Sequence, residues 1–168
     1  MAKSIVGIAN SSSQVEATVD DLQSAVSSND ISVLMPESRG TPDVGAVKAT
    51  KAPEGATTGA VTGGAVGGTV GLLAGIGSLA IPGLGPFIAA GPIMAALSGA
   101  AAGATAGGLV GALVGLGIPE YEAKAYEERV KKGGYLIAVH VEDGDEGKVV
   151  RDMMERNGLE DVSSASEK

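Results

Sequence analysis

GYLIAVHVEDGDEGKVVRDMMERNGLEDVSSA, residues 134–165, carries a strand signal, a helix signal and a second strand signal in succession. Gly134 to Val141 is the strongest strand candidate in the chain, a run dominated by Ile, Val, Leu and Tyr. Asp145 to Arg156 then places Val149, Val150, Met153 and Met154 on one helical face, and Asn157-Gly158 supplies a C-cap. Leu159 to Ala165 reads as a weaker last strand. The amino-terminal end repeats this grammar. SIVGIA (4–9) is a short β-branched run, followed by two overlapping capping-box patterns, Ser11-x-x-Gln14 and Ser13-x-x-Glu16. Val15, Val19, Leu22 and Val26 recur as one helical stripe, Asn29-Asp30 signals a turn, and Ile31 to Met35 is a strand stopped by Pro36. Two βαβ halves of this size predict an α+β fold, a ferredoxin-like βαβ + βαβ sandwich with an inserted glycine-zipper helical hairpin.

The expected organisation is a first half at 1–36, a linker at 37–56, the charge-free hairpin at 57–118, an amphipathic connecting helix at 119–133 and a second half at 134–168. The linker holds Pro, Gly and Thr without periodicity. The connecting helix has proline at its start, acids in its first turn and lysines in its last. Glu120–Lys124, Glu127–Lys131 and Glu128–Lys132 add i, i+4 pairs worth a few tenths of a kcal/mol each.

No charged residue occurs from Gly55 to Pro119, so the 20 acidic and 12 basic residues behind the net charge of −8 all lie in the two ends. Within this region Gly59, Gly63, Gly67, Gly71 and Gly75 fall every fourth residue, and so do Gly99, Gly103, Gly107, Gly111 and Gly115. On a helix of 3.6 residues per turn each run makes a slowly drifting stripe without Cβ atoms, against which another helix backbone can approach closely. Interior glycine costs a helix about 1 kcal/mol relative to alanine in water. In lipid, unpaired backbone groups cost far more, which makes a glycine-rich helix more tolerable there. Thr57–Leu79 and Ile93–Ile118 would rise ~35 Å and ~39 Å, enough for a hydrocarbon core of ~30 Å, with the proline-containing Ala80–Pro92 as connector. The expectation is a self-associating, homo-oligomeric hairpin in a lipid bilayer. It would lie in an inner membrane with the acidic domain on the cytoplasmic side, and Tyr121 and Tyr126 stand at candidate interface positions. Low hydrophobicity of the first arm keeps a second expectation open, a cytoplasmic soluble homo-oligomer or partner-binding module with the hairpins packed in an internal core.

Composition and context argue against several chemistries. The acidic ends disfavour nucleic acid, and the chain has no cysteine for a disulfide, a thiolate or a Cys-type zinc site. Gly75-Ile76-Gly77-Ser78-Leu79-Ala80 matches a dinucleotide fingerprint but lies in a helical run with no preceding strand. Asp143-x-Asp145 begins like a calcium loop, yet Lys148 and Met154 occupy the positions that need glycine and glutamate, so these acids read as helix caps. His140, the single histidine, reads as a partly exposed sheet residue. Accordingly no catalytic residue, metal ligand, cofactor or small-molecule substrate is expected, and the chain is read as non-enzymatic.

KAPEGATTGAVTGG (51–64), IPGLGPFIAAGPIMAAL (81–97) and GIPEYEAKAYEERVKKGGYLIAVH (117–140) resemble segments of small bacterial general-stress or heat-induced stress proteins. The resemblance extends over most of the chain from about residue 31 and implies a stress-linked, non-enzymatic protein. More loosely, the arrangement is similar to the membrane-anchored ferredoxin-like subunit of quinol-oxidising alternative complexes, which implies an accessory role in electron transfer. Neither resemblance supplies catalytic residues.

Overall fold

The computed structural model describes residues 3–36, 77–81, 85–91, 93 and 108–166. Its elements are β1 (Lys3–Ala9), α1 (Ser12–Leu22), β2 (Ile31–Pro36), β3 (Gly77–Ile81), β4 (Gly85–Ala90), α2 (Gly108–Gly115), α3 (Glu120–Lys131), β5 (Tyr135–Val141), α4 (Gly144–Arg156) and β6 (Glu160–Ser166). The chain is α+β, and the described strands form one antiparallel sheet in the order β3-β4-β2-β5-β1-β6. Four of these strands, β2-β5-β1-β6, come from the two terminal halves and interleave them. β5, from the second half, lies between β1 and β2 of the first.

Local signals place the helices. Ser11 is the N-cap of α1: its hydroxyl accepts the Gln14 backbone N–H at 3.2 Å, and the Gln14 side chain accepts from Asn10 N–H at 2.7 Å. Asp143 caps α4 by accepting from the backbone N–H groups of Asp145 and Glu146 at 2.9 and 2.8 Å. The acids at 143 and 145 thus serve a helix terminus. Val15, Val19 and Leu22 of α1 and Val150 and Met154 of α4 are buried, whereas Val149, expected on the same inward stripe, is 47% exposed.

These two helices cover one face of the sheet, packing on Ile5, Ile31, Val33, Ile137 and Val139. The other face is covered as well. Leu109, Ala112 and Leu113 of α2, Ile118, and Ala123, Tyr126 and Val130 of α3 pack on Val6, Ile8, Leu34, Leu136 and Ala138. Two apolar cores therefore sandwich the sheet, and the last turns of the charge-free region belong to the second of them. Gly117 (φ +90°) stops α2, with the Ile118 N–H bonded to the Leu113 carbonyl at 3.1 Å, and the chain turns into α3.

The structure corrects the expected hairpin at 57–118 in its middle. Gly77–Ile81 and Gly85–Ala90 are strands, so a first helical arm does not reach Leu79 and the connector is itself a β-hairpin. Its strands are short apolar runs close together in sequence. β4 pairs with β2 from Val33↔Ala90 to Pro36↔Phe87, extending the domain's own sheet. Of the expected arms Thr57–Leu79 and Ile93–Ile118, the stretches 57–76 and 94–107 lie outside the described residues.

Gly91 fixes the exit from β4. Its φ is +96°, and a Cβ there would lie 2.2 Å from the Ile31 carbonyl oxygen and 2.5 Å from the Ser32 hydroxyl. That buried Ser32 hydroxyl accepts the Ile93 N–H at 3.1 Å. Gly91→Ala is expected to destabilise the domain by at least about 1–3 kcal/mol, the usual cost of strained φ alone. Gly111→Ala, in open helix, should stabilise it by up to about 1 kcal/mol. Urea unfolding of both variants checks the pair, and a near-neutral Gly91→Ala would show that β4 is not docked on β2 in this way.

Candidate functional site: the outward face of α2 and the groove beside α3

α2 has two distinct sides. Leu109 and Leu113 are 1% and 0% exposed and face the sheet, while Gly111, Val114 and Gly115 are exposed. Residues four apart lie on one stripe of a helix, so Gly111 and Gly115 are stacked there, with Val114 alongside. Among the described residues, no heavy atom lies within 4 Å of the position a Cβ would take at either glycine, the helix's own nearby backbone aside. Nothing in the described part of the chain therefore requires glycine at these two positions. Of the ten expected packing glycines, Gly59, Gly63, Gly67, Gly71, Gly75, Gly99, Gly103 and Gly107 lie outside the described residues.

The two tyrosines expected at an interface part company. Tyr121 is 73% exposed and donates its hydroxyl to Glu122 at 2.7 Å. Tyr126 is 1% exposed and packs with Val130 in the second core, which removes it from any membrane-interface role. Its hydroxyl donates to the Asp161 backbone carbonyl and lies 3.3 Å from the Val6 carbonyl oxygen. Helical spacing explains the difference: Tyr126 falls on the stripe Ala123, Tyr126, Val130 that α3 turns toward the sheet, and Tyr121 does not.

Beside Tyr126 a groove of about 470 Å³ runs between α3 and β6, lined among others by Tyr121, Glu122, Arg151, Asp161, Ser163 and Ser164. The Ser163 hydroxyl donates to Glu122, and Arg151 donates to the Ser164 hydroxyl at 2.9 Å. Arg129 reaches across to Glu160 at 2.6 Å and Asp161 at 3.2 Å. Carboxylates, a guanidinium and hydroxyls line this groove mostly bonded to one another, an arrangement that ties α3 and α4 to the last strand. No sequence signal placed these residues together, because they converge from α3, α4 and β6. His140 is half-buried on β5, opposite Ser4 of β1. Among the described residues, no group of three or more His, Cys, Asp or Glu side chains could hold a metal ion, and no helix is long and apolar enough to cross a membrane. No protein-family model matches the chain, and neither the curated proteins nor the solved structures contain a significant match.

Burial, and secondarily the Glu122 charge, push the Tyr126 phenol above its ordinary value near 10. The folded state thus resists ionisation of this phenol more than the unfolded chain does. The resulting stability is fully present below the unfolded value and declines as pH rises above it. Tyr126→Phe is expected to cost about 1–2 kcal/mol at neutral pH by leaving the Asp161 carbonyl without its donor. It should also flatten the loss of stability above pH ~10. Urea midpoints of the two proteins between neutral and alkaline pH test both effects; an identical alkaline decline would remove Tyr126 as its source.

Proposed function

We propose that this chain is a non-enzymatic, self-associating structural protein, in which glycine faces of the charge-free region pack against those of neighbouring copies. The observation that carries the reading is the two-sided α2. Its leucines are consumed by the domain core, while Gly111 and Gly115 stand exposed in phase with a run of five glycines. A helix that needed only to cover the sheet would gain stability from alanine at those positions. Close approach of a second helix backbone is what glycine there permits. The stress association rests on the resemblance of segments 51–64, 81–97 and 117–140 to bacterial stress proteins. We infer further that the terminal halves form a ferredoxin-like βαβ pair, a reading supported by the interleaved order β2-β5-β1-β6.

The position of the β3–β4 hairpin favours packing between copies over a bilayer. A hairpin crossing a membrane puts its connector on the far side from the domain that carries it. Here that connector pairs with β2. A segment that leaves the sheet, crosses and returns needs two stretches of about 20 apolar residues each. Residues 57–76 and 92–107 offer at most one crossing apiece.

Replacing Gly111 and Gly115 together by Leu tests the reading. The domain should stay folded and gain up to about 1 kcal/mol per site from helix propensity, while the assembly dissociates. Sedimentation of the full chain in detergent-free buffer reads the outcome, and an unchanged mass would sink the glycine-face model. Alkaline carbonate extraction of native membranes addresses lipid separately; retention in the pellet would restore the bilayer reading.

A further inference from the structure

Among the described residues, the sheet ends on two edge strands of opposite character. β6 closes one side. It begins with the exposed acids Glu160 and Asp161, its pairing with β1 shifts register between Val6 and Ile8, and Asp161 stands at φ +54°. Charge, a bulge and irregular backbone are the means by which edge strands avoid recruiting other strands. β3 closes the other side and has none of them. It pairs with β4 through five consecutive positions, Gly77↔Ala89 to Ile81↔Gly85, without a register shift. GSLAI contains no proline and no charge, and none of the residues from Gly55 to Pro119 is charged. Among the described residues, nothing pairs with the outer side of β3. Its outward backbone N–H and C=O groups form an undefended template.

We propose that β3 is an interaction edge at which a second copy of this chain adds its own β3, antiparallel across a two-fold axis, so that the two sheets become one. Three observations select a second copy as the occupant. Antiparallel pairing of GSLAI with itself opposes no charges, so the strand is its own complement. The chain carries a net charge of −8, which makes the distance between acidic surfaces decisive. β6 lies five strand spacings from β3, roughly 24 Å, so a two-fold at β3 holds the two acidic edges roughly 50 Å apart. That exceeds a physiological Debye length of about 8 Å several times over. Pairing at β6 would instead bring the register shift, the positive-φ Asp161 and the Arg129-bound acids of both copies into the seam. This contact lies on the sheet edge and is separate from the glycine face of α2, so it stands or falls independently of the proposed function.

The absence of cysteine makes the test direct. Single cysteines are placed in the full chain by Ser78→Cys, Leu79→Cys and Ala80→Cys, with Ser164→Cys on β6 as the control. Residues opposed across an antiparallel two-fold have Cα atoms about 4.5–5.5 Å apart, within reach of a disulfide. Mild oxidation of dilute protein is expected to convert at least one β3 variant almost wholly to a covalent dimer, while Ser164→Cys stays largely monomeric. Adding Gly111→Leu and Gly115→Leu should leave that yield unchanged. A paired Ser78→Lys and Ala80→Lys substitution should halve the assembly mass with an unaltered far-ultraviolet spectrum. The proposal is overturned if no β3 cysteine cross-links, if Ser164→Cys cross-links as well as the best of them, or if the glycine substitutions abolish the β3 cross-link. It also fails if the same cysteine, oxidised in cells, is joined to a different polypeptide in place of its own copy.

Discussion

Leu136 and Ala138 on one side of β5, and Ile137 and Val139 on the other, are all excluded from solvent. An antiparallel sheet with a central strand of that kind must be covered on both faces, since exposing either would leave apolar side chains in water. The remaining architecture follows from this requirement. α1 and α4, supplied by the two βαβ units, cover one face. The second face has no helix from those units to cover it, and α2 with α3 meets that need. The charge-free region thereby contributes to the domain core as well as to whatever lies beyond it.

The same requirement explains why the polar residues are used structurally. With apolar cores above and below, charge sits at the edges, at the helix ends and on the outward helix faces. Asp143 holds the start of α4, Arg129 holds the acids at the start of β6, and Glu122 holds Ser163. Tyr126 connects the layers: its ring is part of the second core and its hydroxyl satisfies the Asp161 carbonyl at the one described non-glycine residue with positive φ. The groove beside it is consequently a seam between elements, its donors and acceptors largely paired.

The β3–β4 hairpin alters the meaning of the glycine-rich region more than any other element. It divides what reads as one long insertion into two pieces, each anchored at both ends to the same sheet or to the helices on it. Gly91 marks one of those anchor points, where the backbone passes so near Ile31 and Ser32 that no side chain fits. It is this anchoring that supports the proposed packing between copies through the exposed glycines of α2. The contrast between β6 and β3 supports the second, separate contact proposed above.

Much of this was legible in the sequence. β1, β2, β5, β6 and the helices α1, α3 and α4 were readable because their signals are local. A capping serine and its Gln14, an apolar stripe at spacings of three and four, and a glycine after the last turn all act within a few residues. Gly111 and Gly115 were legible as an in-phase pair for the same reason, and the exclusion of Cys-based chemistry followed from composition alone. The cover on the second face was signalled only indirectly, by YLIAV (135–139), an unbroken apolar run where a half-exposed strand would alternate. That GSLAI and GPFIAA are strands, that Tyr126 is buried while Tyr121 is not, and that Glu122, Arg151, Asp161 and Ser163 meet in one groove were decided by tertiary structure. A short apolar run bounded by glycine and proline suits several conformations equally. The free edge of β2, far away in sequence and available only once the sheet has formed, selects one of them.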